Sequence, residues 1–298
     1  MVEFYNVIRV VAIVLKAVVL IPAIVFLVLL IRKAGFRQDP ARRWISFAVA
    51  ALGFFSTTYL LDVVSSIIFI NNSPDDVISY KDPVVIALGI LDTLTLFAQN
   101  ATQIAVFLAL FYLARAFTIL RTDETSKRYR IGRLFALGSS AFVSLLALTS
   151  AVLLISYYAE RQDPDSWSGS DSGHDNVAIR YYVATVFNLA CYVVHVLCAV
   201  GSMFYVAKTN NNAKNGPMHE ASKIALISAI LWLIHICWMF ISTSLTAFGY
   251  FYYENEYSVL LAAFLNTWTT FVVIMLFYTL ATKHAYGLSG EKQQPQPK

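Results

Sequence analysis

Charge is what this sequence has least of. Only 13% of its 298 residues are Asp, Glu, Lys or Arg, against about 25% in a soluble domain. A soluble fold is therefore excluded for most of the chain, and lipid is the solvent its surface suits. Cysteine is almost missing. The three present, Cys191, Cys198 and Cys237, all fall inside long apolar runs, which excludes an extracellular disulfide framework and leaves the redox compartment open. No repeat links the first three apolar runs to the last three, which argues against a carrier built from duplicated halves. No HExxH motif, no comparable carboxylate–histidine cluster and no nucleophile–base pair is visible. The chain is accordingly read as not an enzyme, with no cofactor and no metal centre.

What is abundant is apolar length. Hydrophobic residues make up 58% of the chain and the mean hydropathy is +0.62. Seven runs, at 10–31, 44–70, 84–113, 134–157, 179–207, 224–248 and 258–282, each hold the ~20 apolar residues that a helix needs to cross a bilayer. They are long and continuous rather than short and alternating, so they read as helices and not as barrel strands. The expected fold class is all-α, a polytopic seven-transmembrane helix bundle. Residues 1–284 form a single domain, and 285–298 (GLSGEKQQPQPK from Gly287) form a disordered polar tail. The first run is too long for a removable signal peptide and is followed by the basic residues Arg32, Lys33, Arg37, Arg42 and Arg43.

The connections alternate in charge. Those after runs one, three and five, together with the tail, carry 17 of the 22 Lys and Arg residues. The other connections hold the acidic residues Asp75, Asp76, Asp82, Glu160, Asp163, Asp165, Asp171, Asp175, Glu254 and Glu256. By the positive-inside bias the N-terminus is expected outside or in a lumen and the C-terminus in the cytoplasm. The formal charge of +4 thus reflects flanks that meet anionic lipid headgroups, and nucleic acid is excluded as a partner. The protein is expected to be integral to the plasma membrane or an endomembrane. The connection before run five (DPDSWSGSDSGHD) is acidic and rich in Ser and Gly, and Asn71-Asn72-Ser73 is a glycosylation sequon expected to stay unused because Pro74 follows it.

Ionisable groups at membrane depth are costly and mark candidate sites. Lys16, Asp62 and Asp92 fall at one expected level in the outer half, and Asn188 and Asn266 reach about the same depth. Two readings stand: Lys16 pairs with Asp62 or Asp92 to hold helices together, or the net negative cluster binds a cation, an amine or a proton. Run three carries a stripe of Asp92, Thr95, Gln99 and Gln103 at helical spacing, and that face is expected to look into the bundle. Run five repeats the habit with Asn188, Cys191, His195, Cys198 and Ser202, and run six with Ser228, Trp232, His235, Met239 and Ser242. The candidate ligand-binding or intramembrane polar cluster is therefore Lys16, Asp62, Asp92, Gln99, Asn188, His195, His235 and Asn266. His195 and His235 with Cys191 are too few for a zinc or haem centre and read as core histidines.

Signatures of known seven-helix families are mostly missing. Run seven has no lysine for a retinal Schiff base. At the inner end of run three the chain reads LARAF, keeping only Arg115 of the Asp-Arg-Tyr-like triplet of rhodopsin-like receptors, and Cys237-Trp238-Met239-Phe240 lacks the proline of their sixth helix. NPxxY is absent despite Asn266 and Tyr278, and proline-glutamine loops are absent from the membrane flanks. In its layout, a short outer N-terminus, a Ser/Gly/Asp-rich connection before run five and a short polar tail, the chain resembles fungal orphan seven-helix integral membrane proteins. That resemblance implies receptor-like sensing. The expected function is a receptor-like sensor of a small molecule or cation, bound in the outer half of the bundle. A signalling partner would meet the basic second inner connection, RTDETSKRYRIGR at 121–133. The alternative is a small-molecule or ion/proton-coupled transporter or channel, and a scaffold with all polar groups mutually satisfied is a third reading.

Overall fold

The computed structural model describes residues 2–32, 42–71, 83–122, 127–160, 171–214, 218–247 and 260–282. No strand occurs among them. The chain runs through helices α1 (Val2–Arg32), α2 (Arg43–Asn71), α3 (Pro83–Thr122), α4 (Lys127–Glu160), α5 (Asp171–Ala213), α6 (His219–Ala247) and α7 (Leu260–Thr282). All seven contain a stretch long and apolar enough to cross a membrane. Continuous helix is the form such segments take because hydrocarbon offers no partner for a free backbone N–H or C=O. Segment 285–298, Asn72 and Ser73 of the sequon, and residues 123–126 of the basic connection lie outside the described residues.

Helices adjacent in sequence pack against each other, and α3 also touches α5 and α6. The axis of the bundle is α3: 72% of its most apolar stretch is buried, against 22–39% in the other helices. Small side chains permit this. Ala98, Ala105, Ala109, Ala114 and Ala116 of α3 are all buried, and small residues let neighbouring backbones come close. The helix α3 runs past residue 113, its expected end, to Thr122. At the other extreme α1 is peripheral, with Val14, Val18 and Ile21 exposed as lipid-facing side chains.

The end of the bundle where α1 finishes and α2 begins carries Arg32, Arg42 and Arg43 and is called the basic end below. The opposite, acidic end holds the Arg180–Glu160 ion pair, which joins α5 to α4. The basic half is filled by large apolar groups. Leu30, Trp44, Leu110, Leu113, Phe277 and Leu280 are fully buried in one cluster. Rings interlock through it: Trp44 against Phe277 at 6.4 Å between centroids and Phe47 stacked on Tyr112 at 5.1 Å. Among the described residues these apolar groups fill the centre of that half.

Near the acidic end α4 lies directly on α3 at Gly89. A Cβ placed there would overlap the ring of Tyr158. Gly89→Leu is therefore expected to force α4 away from α3 and lower the yield of folded protein. Gly89→Ala combined with Tyr158→Ala should recover most of the yield that Gly89→Ala loses. Fluorescence-detected size exclusion reads both outcomes.

One helix departs from α geometry. Ala263–Trp268 of α7 is π-helical, and α-helix resumes at Thr269–Thr282. A π segment arises when one residue more than the α repeat is accommodated within a turn, and such segments concentrate at functional positions. Phe264 within it is exposed. Deletion of Phe264 is expected to return α7 to plain α-helix and still give folded protein, whereas deletion of Leu110 in α3 should give none. Yield after size exclusion compares the two.

Candidate functional site

Most hydroxyls in the spans are satisfied inside their own helix. Thr58, Thr93, Thr95 and Thr102 each donate to the carbonyl four residues earlier, at 2.7–2.9 Å. This is the usual accommodation of Ser and Thr in apolar helices. Thr95, part of the stripe on α3, is thereby committed locally. What remains for chemistry is a set of longer side chains arranged in two layers.

The layer nearer the acidic end contains the ionisable groups. Lys16 of α1 pairs with Asp62 of α2 at 2.7 Å. One turn further along α2, Ser65 donates to Asp92 of α3 at 2.8 Å. Of its two candidate partners Lys16 takes Asp62, while Asp92 is bonded to Ser65. Asp92 itself is exposed on the bundle surface, which corrects the expectation that the α3 stripe faces inward along its length. The stripe becomes buried as it descends: Thr95 and Gln99 are half-buried and Gln103 is fully buried. The 3-4-4 spacing keeps the four residues on nearly one face, so the change in exposure comes from the surroundings. At the acidic end that face lies beside α2, where Asp92 meets Ser65, and mid-bundle it meets α6 at Trp232 and His235.

The second layer lies mid-bundle, about 16 Å along α3 from Asp92 at 1.5 Å per residue, and is uncharged. Gln103 is its hub. Its carbonyl oxygen accepts from Trp232 Nε1 at 2.8 Å, and its Nε2 lies 2.9 Å from His235 Nε2. An amide nitrogen only donates, so His235 Nε2 is the acceptor and the proton resides on Nδ1. That Nδ1–H donates to the Leu265 carbonyl at 2.9 Å, inside the π segment of α7. Three helices are therefore tied by one directional chain: Trp232 to Gln103 to His235 to Leu265. Gln99, one turn above Gln103, reaches only the sulfur of Met239, at 3.5 Å.

Asn266 follows Leu265 directly and so belongs to this deeper layer. Asn188 lies beside Asn100 of α3 at 3.5 Å, again below Asp92. Both asparagines are deeper than the level expected for them. Counting from the ends of apolar runs assumes that the runs begin at one height, whereas α5 starts at Asp171, well before its apolar part. Asn100 and Asn188, with Thr93 and Ser150, line a small crevice between α3, α4 and α5. Its volume is that of about one water molecule.

His195 of α5 is fully buried and its Nε2 has no hydrogen-bond partner. It lies in the electrostatic field of His235, with the Tyr192 ring 6.3 Å away between centroids. The Tyr192 hydroxyl is buried against the Thr243 side chain of α6, its hydrogen-bonding neighbour. Thr267 of α7 lies beside Tyr59 of α2. Cys191 does not engage His195: its thiol points to the Val143 carbonyl of α4 at 3.8 Å. Among the described residues no group of three or more His, Cys, Asp or Glu is placed to hold a metal ion.

Tyr59, Asn100, Tyr192 and Thr267 are members of these layers that sequence reasoning passed over. Tyr59 precedes Asp62 by one turn and Tyr192 precedes His195 by one turn, so the helical spacing that singled out the stripes also contained them. Their aromatic or small side chains simply read as core. Comparison with protein-family models, with curated proteins and with solved structures gives no match for this chain.

Proposed function

We propose that this multi-pass membrane protein is a receptor-like sensor: a small molecule enters from the acidic end and is read by the uncharged layer at Gln99, Gln103, His195 and His235. One observation carries the reading. Polar side chains occupy the acidic half and the middle of the bundle, whereas the basic half is filled by fully buried Leu30, Trp44, Leu110, Leu113, Phe277 and Leu280. A polar region stopped by an apolar plug suits binding and conformational readout better than passage. A carrier or channel is the second reading, supported by the α3 stripe that leads from exposed Asp92 to buried Gln103. The positive-inside bias puts the acidic end outside the cytoplasm and the basic end within it. There the connection at 121–133 would meet a signalling partner. The resemblance to fungal orphan seven-helix proteins is consistent with such a role.

Gln99 offers a clean test because its contact with the sulfur of Met239 at 3.5 Å contributes little to the fold. In lipid nanodiscs, a small molecule that binds the layer should raise the melting temperature of the wild type. At 100-fold its Kd the stabilisation is about 2.7 kcal/mol. Gln99→Ala should leave the unliganded melting temperature within error and reduce that shift. Uptake of the same compound into proteoliposomes would instead support the carrier.

A further inference from the structure

The crevice between α3, α4 and α5 holds a polar atom that the fold leaves unused. There α4 contributes the small side chains of Ala147, Ser150 and Ala151, and their size leaves the gap. Asn100 of α3 lines it and is only 2% exposed. The nitrogen fixes how this amide is turned. Nδ2 donates to the Leu96 carbonyl at 3.0 Å and lies 3.5 Å from Asn188 Oδ1. An amide oxygen in its place would meet two acceptors and bond neither. Oδ1 is therefore on the other side of the amide, and among the described residues it is buried without a hydrogen-bond partner. The neighbouring hydroxyls do not serve it. Thr93 donates to the Gly89 carbonyl at 2.7 Å and Ser150 to the Ala184 carbonyl at 2.9 Å, so the single proton of each is spent.

A buried acceptor in a native fold is matched by a donor, from the protein or from a bound group, and the crevice limits what that group is. Its room is that of about one water oxygen. Among the described residues no charged side chain lines it, so nothing there balances an ion. The guest must donate to Asn100 Oδ1, and the Asn188 amide carries N–H groups that a guest oxygen accepts. A neutral hydroxyl, donor and acceptor in one atom, meets all three demands. The remaining walls are apolar: Leu96, Phe97 and Leu154. Phe97 is itself exposed, so the crevice reaches the bundle surface beside an apolar rim. We propose that this crevice is a binding site for a single neutral hydroxyl, which donates to Asn100 Oδ1 and is brought by water or by the head of an aliphatic alcohol. None of its lining residues belongs to the sensing layer at Gln99, Gln103, His195 and His235, so it stands independently of that reading.

Two labelling measurements on the full chain in lipid nanodiscs, both read by mass spectrometry, test the site and separate its sources. The first uses a long-chain alcohol carrying a diazirine, with its methyl ether as control. If the hydroxyl comes from an alcohol, photolysis should label Phe97 and Leu154 several-fold more with the alcohol than with the ether. The second is radiolytic hydroxyl-radical labelling in water enriched in oxygen-18, where bound water generates radicals in place. If the hydroxyl is water, Leu154 should be labelled several-fold faster than Leu20 of α1, which is equally exposed at 9%. Asn100→Leu keeps the volume and removes the acceptor, so it should erase whichever signal the wild type gives. Asn188→Leu should weaken the same signal from the other side of the crevice, and size exclusion confirms that each variant is folded. Either signal, lost on these substitutions, supports the site. A wild type in which alcohol and ether label alike and Leu154 reacts no faster than Leu20 overturns it. So does a signal that the folded variants leave unchanged, since the hydroxyl would then not be held by the asparagines.

Discussion

Gln103→Leu is expected to destabilise the bundle by about 2–4 kcal/mol, because it strands two buried partners at once. Trp232 Nε1 loses its acceptor, 2.8 Å away, and His235 Nε2 loses its donor, 2.9 Å away. Each group left unmatched costs about 1–3 kcal/mol. A double-mutant cycle separates this from simple loss of packing. Trp232→Phe removes the indole N–H, so Gln103→Leu/Trp232→Phe should cost clearly less than the sum of the single changes. Strict additivity would mean that the Gln103–Trp232 bond contributes nothing. The magnitude also decides between two views of polar bonds in membranes. Interhelical hydrogen bonds there average only about 0.6 kcal/mol when the unfolded helices find other partners. A loss near that value would show that the stranded groups are served by something else, with water the first candidate.

Lys16→Met should lower stability by about 3 kcal/mol, and Asp62→Leu by a similar amount. Each leaves an unpaired charge in a layer where its partner sits 2.7 Å away. Removing one member of a buried pair costs about 3–5 kcal/mol. The pair is not sealed: the side chains are 18% and 26% exposed, which places the expectation at the lower end. The double change Lys16→Met/Asp62→Leu should recover most of the loss, since an apolar pair of similar volume often matches or exceeds a buried ion pair. Thermal unfolding in nanodiscs measures all three. If the double variant folds as well as the wild type yet no longer responds to a ligand that stabilises the wild type, the pair belongs to the binding site and not only to the fold.

Span number and element type were legible because lipid imposes them. Apolar runs at 44–70 and 258–282 had no alternative to helix once no partner for their backbone was on offer. The pairing of Lys16 with Asp62 was one of two that depth counting offered, since 1.5 Å per residue turns sequence position into depth. Facing was not legible. Periodicity puts Asp92 and Gln103 on one stripe, but which way the stripe looks depends on where α2 and α4 press against α3, and Gly89 with Tyr158 decides that by contact. The π segment was hidden altogether: AFLNTW reads as an ordinary apolar helix, and only the packed bundle shows its Leu265 carbonyl meeting His235. The bond chain through Gln103 was half visible, since Gln103, Trp232 and His235 each stood on a polar stripe of their own helix. Their mutual register required the packed bundle.

The central claim is a polar site open toward the acidic end and closed by apolar packing toward the basic end. Membrane-impermeant thiol reagents applied separately to each face, on single cysteines in a background lacking Cys191, Cys198 and Cys237, test it most directly. A cysteine replacing Gln99 should react from the acidic-end face only, and one replacing Leu110 should react from neither. Reaction of the Gln99 position from both faces would contradict the account in favour of a pore, and reaction from neither would contradict it in favour of a sealed scaffold.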